Sequence, residues 1–184
     1  QENSIAPLPF EITLYQAVTK GKTMDLIIQK ATELGAHRVV PVLSERSVPD
    51  WDEAKAAAKV EKWRSVCIES IKQCGSAWLP TLEMPMTPSA AIEDARGAEV
   101  SLIATLQSDA KHPRTHIEGY EAENGQAPKK LAIWVGPEGD YTPAEINQIR
   151  GSALPITLGQ LVLRSETAAI YCLAFLNYEL QSRP

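Results

Sequence analysis

Two short stretches hold the residues whose types and order point to chemistry. In the first, Gly136-Pro137-Glu138-Gly139-Asp140 follows directly on the apolar run 131–135 (LAIWV). Paired glycines let a backbone take positive φ and come close to a ligand. On the residues alone, this is either a tight strand-to-helix turn or a place where main-chain groups meet a small molecule. It is not the GxGxxG of a dinucleotide fold, and no GK[ST] follows, so a phosphate cradle is disfavoured. In the second, Leu158-Gly159-Gln160-Leu161-Val162-Leu163-Arg164-Ser165-Glu166-Thr167-Ala168 puts an arginine and a glutamate at a helix start. Glu166 suits the positive end of a helix dipole and Ser165 can cap it, whereas Arg164 sits at the end that cations avoid. Arg164 is therefore either half of a surface salt bridge or a guanidinium held to meet an anion. The histidines offer less. His37, His112 and His116 are scattered, and His112-x3-His116 spans Pro113 with no acidic or Cys companion, so no metal is expected. No Ser-His-Asp, HExxH or EF-hand pattern occurs.

Elements that would position these stretches can be read from periodicity. Residues 12–18 (ITLYQAV) predict a strand and Lys20-Gly21-Lys22 a turn. Met24, Ile27, Ile28, Ala31 and Leu34 then fall at helical spacing, and Gly35 stops that helix. Residues 38–43 (RVVPVL) predict a second strand, with Pro41 marking an edge or a bulge. Pro49 and Asp50 open a helix over 51–73, on which Cys67 and Cys74 share one face at core spacing. Thr87-Pro88 starts a brief helix. Residues 100–106 predict a third strand, 107–130 a long polar loop and 131–135 a fourth strand. Thr142 and Glu145 have capping-box spacing for a helix that ends at Gly151. Residues 154–158 predict a fifth strand, and a last helix covers 165–180.

Strands alternating with helices predict an α/β fold with a mostly parallel sheet. Ligands of such sheets gather beyond the carboxyl ends of the strands, so chemistry is expected in the loops after Leu106, Val135 and Leu158. The last helix carries nine apolar residues in a row, 168–176 (AAIYCLAFL). A helix apolar all round is covered all round. Either it is sandwiched inside one subunit, or its second face makes an isologous dimer.

Composition removes other classes. The 184 residues carry a net charge of −5, and 44% are hydrophobic and 22% charged, which excludes disorder along the whole chain and a coiled coil. A chain this long buries about 70% of its unfolded surface and needs no disulfide or metal to hold a core. An acidic balance argues against a free-standing nucleic-acid binder, since phosphate contacts need clustered cations. The basic set Lys20, Lys22, Lys30, Arg38, Arg46, Lys111, Arg114, Lys129 and Lys130 is dispersed. Cys67, Cys74 and Cys172 form no CxxC and read as reduced thiols of a cytosolic protein. No apolar run reaches the roughly 18 residues of a membrane span. The start, Gln1-Glu2-Asn3, has neither an initiator Met nor a basic n-region, so the chain is expected to be a piece of a longer protein.

In order along the chain, ITLYQAVTKGKTMDLIIQKATELGAHRVVPVLSERS, EKWRSVCIESIKQCG, Leu79-Pro80, IWVGPEG and LGQLVLRSETA resemble the RsmE family of 16S ribosomal RNA uridine-N3 methyltransferases, within the SPOUT class. The resemblance runs from Ile12 to about Leu180. It implies a SPOUT-type sheet flanked by helices, with the C-terminal chain threaded into a trefoil knot. It implies S-adenosylmethionine bent within that knot and held by backbone groups of three loops, here Leu106, Gly136, Glu138, Gly139, Leu158, Gly159 and Leu163. It implies Arg164 and Glu166 as catalytic residues, and a homodimer through the knot and the last helix. The partner is then 16S rRNA of the small ribosomal subunit, with no membrane and no metal. The family also carries an N-terminal RNA-binding barrel, which makes residues 1–11 a linker remnant and 12–184 the methyltransferase domain.

Several departures from the family pattern stand out. Thr23, Ser76, Gln160 and Leu161 replace residues that are usually Arg, Arg, Pro and Arg, and Asp140 replaces a usual Gly. These changes bear on substrate binding more than on cofactor binding. They keep open the alternative of a catalytically silent or differently targeted SPOUT RNA-binding protein.

Overall fold

The strands of this chain do not alternate polar with apolar, because both faces of the sheet are covered. The computed structural model describes residues 8–47 and 51–183. Six strands, β1 (Glu11–Ala17), β2 (Arg38–Val42), β3 (Thr81–Leu82), β4 (Val100–Ala104), β5 (Lys130–Val135) and β6 (Leu154–Ile156), form one parallel sheet in the order β3-β2-β1-β5-β4-β6. Ile12, Leu14, Leu102, Leu131 and Ile133 point to one face, under α1 (Thr23–Glu33), α4 (Pro113–Asn124) and α6 (Ser165–Gln181). Tyr15, Ile103, Ala132 and Trp134 point to the other, under α3 (Pro88–Asp94) and α5 (Pro143–Arg150). The long α2 (Glu53–Cys74) lies on α1, where Trp63 is buried with Met24 and Ile28 and donates to Asp25 Oδ1 at 3.1 Å.

Most expected elements are present to within a few residues, and the differences have physical causes. β2 is an inner strand, so Pro41 marks no edge. Its missing N–H is tolerated because β3 is only two residues long. Val39 O accepts from Glu83 N and Pro41 O from Met86 N, and between these contacts no ladder donor is needed. Residues 107–130 are not one loop, since they contain α4. That helix is started by Pro113 and a His112 side chain that accepts from Arg114 N, and it is stopped by Gly125 in the left-handed conformation. Of its residues only Pro113 and Ile117 are buried, so it shows almost no apolar stripe. Cys74 is exposed at the end of α2, unlike Cys67 and Cys172. Burial pushes the Cys172 thiol up to about 12. The third strand ends at Ala104, leaving Leu106 exposed. Pro49 and Asp50 lie outside the described residues; the α2 N-cap is Asp52, which accepts from Lys55 N at 2.7 Å. Phe10 is buried and Glu11 already belongs to β1.

One polar cluster pins β1, β2 and α3 together. The Arg38 guanidinium donates two bonds to Asp94, at 2.7 and 2.9 Å, and Tyr15 OH donates to the same carboxylate at 2.7 Å. Arg38 holds the Asp94 carboxyl below its ordinary range, and burial pushes the Tyr15 hydroxyl up.

Candidate active site

Three loops leave the carboxyl ends of β4, β5 and β6 and meet around one cleft of about 280 Å³. Leu106 lines it from the first loop. Gly136, Glu138 and Gly139 line it from the second, and Leu158, Gly159 and Leu163 from the third. Local chemistry shapes each bend. A Cβ on Gly136 would stand 2.9 Å from Asp140 Oδ1 and 3.4 Å from Asp140 Cα, so a side chain there would crowd the turn. Asp140 itself has φ 60, a left-handed conformation that a short polar side chain tolerates by bonding locally; its Oδ1 accepts from Tyr141 N at 2.8 Å. Gly159 has φ 112 and donates its N–H to Thr157 Oγ1 at 3.2 Å. The walls are apolar side chains of Val135, Leu161, Val162 and Leu163, and the bends present main-chain groups. Such a surface suits a small molecule with an apolar body and a few polar groups. Among the described residues no cluster of His, Cys, Asp and Glu could hold a metal ion.

Arg164 and Glu166 do not line this cleft, but Leu163 and Ser165, which flank Arg164, do. Arg164 is the N-cap residue of α6, exposed, with no side-chain cap bond and no ion-pair partner among the described residues. The salt-bridge explanation for it is therefore not realised among the described residues. Glu166 is half-buried in the first turn of α6, where the helix dipole favours an acid.

Ser165 is not the cap that its type suggested, because its hydroxyl is engaged elsewhere. It is buried at the first helical position, donates to Gly136 O at 2.6 Å, and accepts from Gln16 Nε2 at 3.0 Å. Gln16 was not singled out from the sequence. The available signal was a lone amide inside an otherwise apolar strand, ITLYQAV.

The segment Ser44 to Ser47 closes the second loop from outside. Arg46 Nη1 donates to Gly139 O. Glu145, 7% exposed, completes the expected capping box by accepting from Thr142 N at 2.8 Å, and its other oxygen accepts from Glu45 N at 2.7 Å. One carboxylate thus joins α5 to the loop after β2. Glu145→Ala leaves both N–H groups without their acceptor. It is expected to cost about 2 kcal/mol, a fall in Tm of roughly 4–8 °C, with Glu145→Gln recovering about half because one acceptor oxygen remains; thermal denaturation followed by circular dichroism measures it.

With this geometry in place, likeness to known proteins becomes informative. Residues 6–177 match the RNA methyltransferase domain family. The ribosomal RNA small subunit methyltransferase E of Aquifex aeolicus is 32% identical over 91% of this chain and 69% of its own length. A methyltransferase of Legionella pneumophila, solved with bound S-adenosylmethionine, superposes with TM-score 0.83 at 33% identity, covering 93% of this chain and 67% of that one. The ribosomal RNA small subunit methyltransferase E of Neisseria gonorrhoeae, also solved with S-adenosylmethionine, gives TM-score 0.78 at 28% identity, again over 93% and 67%. The chain thus spans about two thirds of each of these relatives. The matched span and the superposition agree, and the chain belongs to the ribosomal RNA small subunit methyltransferase E family of RNA methyltransferases.

Proposed function

We propose that this chain methylates uridine N3 of 16S ribosomal RNA in the small ribosomal subunit, with S-adenosylmethionine as the donor. One observation carries the reading: three loops converge on a single cleft, and Arg164 stands between two of its lining residues. The cleft fits the cofactor. Its volume lies near the lower end of small-ligand sites, ~300 Å³. Its apolar walls suit a methionine stem and its bends offer main-chain bonds. Gly136 is a position where a side chain would crowd the turn. Leu106, Gly136, Glu138, Gly139, Leu158, Gly159 and Leu163 would hold it. When bound, the cofactor supplies a methyl group activated on a sulfonium.

The remaining work falls to this chain. Uracil N3 attacks only after losing its proton, which spreads negative charge onto O2 and O4. Arg164, with no competing acid, meets that charge and lowers the effective pKa of N3. Glu166 steadies the helix start; among the described residues it makes no ion pair with Arg164, so it orients the guanidinium only when substrate is bound, and acceptance of the N3 proton is its lesser role.

The reading extends to architecture. β6 lies at one edge of the sheet, yet α6 packs on α1 across the sheet and is bonded through Ser165 to the loop after β5. On this reading the intervening chain is threaded into a trefoil knot, which the shared cleft of the loops after β4, β5 and β6 supports. The face of α6 bearing Tyr171 and Tyr178, with the exposed Leu161 and Val162, is uncovered within one chain and suits a homodimer contact. The methyltransferase unit starts by Phe10, which is buried in the core, and Glu11, which opens β1, so only residues ahead of these are left as a linker to an RNA-binding domain. A cytoplasmic site of action follows from the proposed ribosomal substrate; no described helix is long and apolar enough to cross a membrane.

A second reading, a silent RNA-binding module, is favoured by the neutral Thr23, Ser76 and Leu161 where the family pattern has Arg. The test is methylation of small ribosomal subunits by the intact protein and by this chain, with calorimetry for cofactor binding. This chain is expected to bind S-adenosylmethionine but transfer poorly, and the intact protein to methylate uridine N3. Cofactor binding without transfer by the intact protein supports the silent module. Equal turnover by both forms removes the role given to the missing domain.

A further inference from the structure

The geometry points to Gln16 as a positioning residue that, through Ser165, fixes the start of α6 against the cleft; this rests on the reading of the cleft as a methyl-transfer site. Gln16 is fully buried near the carboxyl end of β1, on the sheet face that α6 covers. Its Nε2 donates to Ser165 Oγ and to Ala17 O, each at 3.0 Å. Ser165 Oγ in turn gives its only proton to Gly136 O at 2.6 Å. The chain of donors therefore runs one way, from amide to hydroxyl to carbonyl. The amide cannot be turned over, because its oxygen would then face the Ala17 carbonyl. Three segments far apart in sequence are joined by two bonds: β1, the loop after β5, and the first residue of α6. Arg164 immediately precedes that residue, so the relay sets where the guanidinium stands relative to the cleft.

For stability alone Gln16 is a poor choice, because its two donated bonds are offset by an acceptor left unpaired. Its Oε1 is buried with no hydrogen-bond partner among the described residues. An unpaired buried acceptor is destabilising. Methionine, of similar length and with no strong acceptor, would fill the same space without that penalty. A residue kept for packing alone would not be an amide here. A residue kept to hold Ser165 in one orientation would be, even at a loss of stability.

The test uses Gln16→Met and Ser165→Ala in this chain and in the intact protein. The Ala168 amide, which donates to Arg164 O at 2.8 Å, reports closure of the first turn of α6. Hydrogen exchange there is expected to quicken about tenfold or more in both variants, while Leu173 in the middle of the helix is unchanged. Gln16→Met trades two donated bonds for removal of an unpaired acceptor, so it is expected to keep its Tm to within a few degrees and to keep its affinity for S-adenosylmethionine, with single-turnover transfer to small ribosomal subunits down about tenfold to a hundredfold. Unchanged exchange at Ala168 in both variants overturns the anchoring. Faster exchange with wild-type transfer overturns the positioning role. Faster exchange in an intact protein that never methylates the subunit supports the anchoring and overturns the functional reading instead.

Discussion

Arg164→Ala is expected to lower methyl transfer to small ribosomal subunits by roughly 10²- to 10³-fold, the loss seen when one preorganised donor to a developing anion is removed. Cofactor affinity should stay within a few-fold, since Arg164 does not line the cleft. Stability should not fall. The side chain is exposed, has no ion-pair partner among the described residues, and stands at the helix end where a cation is disfavoured. Arg164→Lys keeps the charge but loses the planar fork, and should fall between the two. Single-turnover transfer of a labelled methyl group, with calorimetry for the cofactor, checks all three statements. Full transfer by the alanine variant would remove Arg164 from the chemistry.

The largest effect on stability is expected from Trp134→Ala, about 3–5 kcal/mol, or roughly 10 °C in Tm for a chain of this size. Trp134 is fully buried in β5, two residues before Gly136. Its indole stacks on its cross-strand partner Tyr15, with ring centroids 4.3 Å apart and planes 13° apart, and Nε1 donates to Ser101 Oγ at 3.1 Å. Truncation leaves a cavity between three strands and an unpaired hydroxyl. Trp134→Phe keeps a ring to stack and loses only the hydrogen bond, so it should cost a third or less of that. Chemical denaturation of both variants gives the comparison. Because the strand end carries the cleft's second loop, the alanine variant should also bind cofactor more weakly than its loss of global stability alone explains.

Local signals in the sequence reached far into this fold. Spacing of apolar residues placed α1, the Thr87 and Thr142 caps placed α3 and α5, and apolar runs placed five of the six strands. β3, two residues long, leaves no periodic trace. α4 escaped because its stability is not local. Beyond its caps, it is held by Arg114, whose guanidinium donates to Glu179 on α6 at 2.9 and 3.1 Å, sixty-five residues away. Those bonds keep the Glu179 carboxyl below its ordinary range, and no pattern within residues 107–130 records them. The site divides in the same way. Glycine-bearing bends after apolar runs announced the loops, and the family resemblance assigned them a ligand. The Glu145 bond to Glu45 and the Gln16 bond to Ser165 span 100 and 149 residues, so each could be read only from the folded chain.

The sheet order has a consequence for synthesis on the ribosome. β1 is made before every other strand of this sheet, yet its neighbour on one side is β5, beginning with Glu11 opposite Lys130. Until most of the chain has emerged, that edge of β1 waits without its mate, and the hydroxyl that accepts from Gln16 arrives later still. Nascent chains must therefore shelter an open apolar edge until β5 has emerged, and the three-loop cleft is the last part of this sheet's surroundings to form.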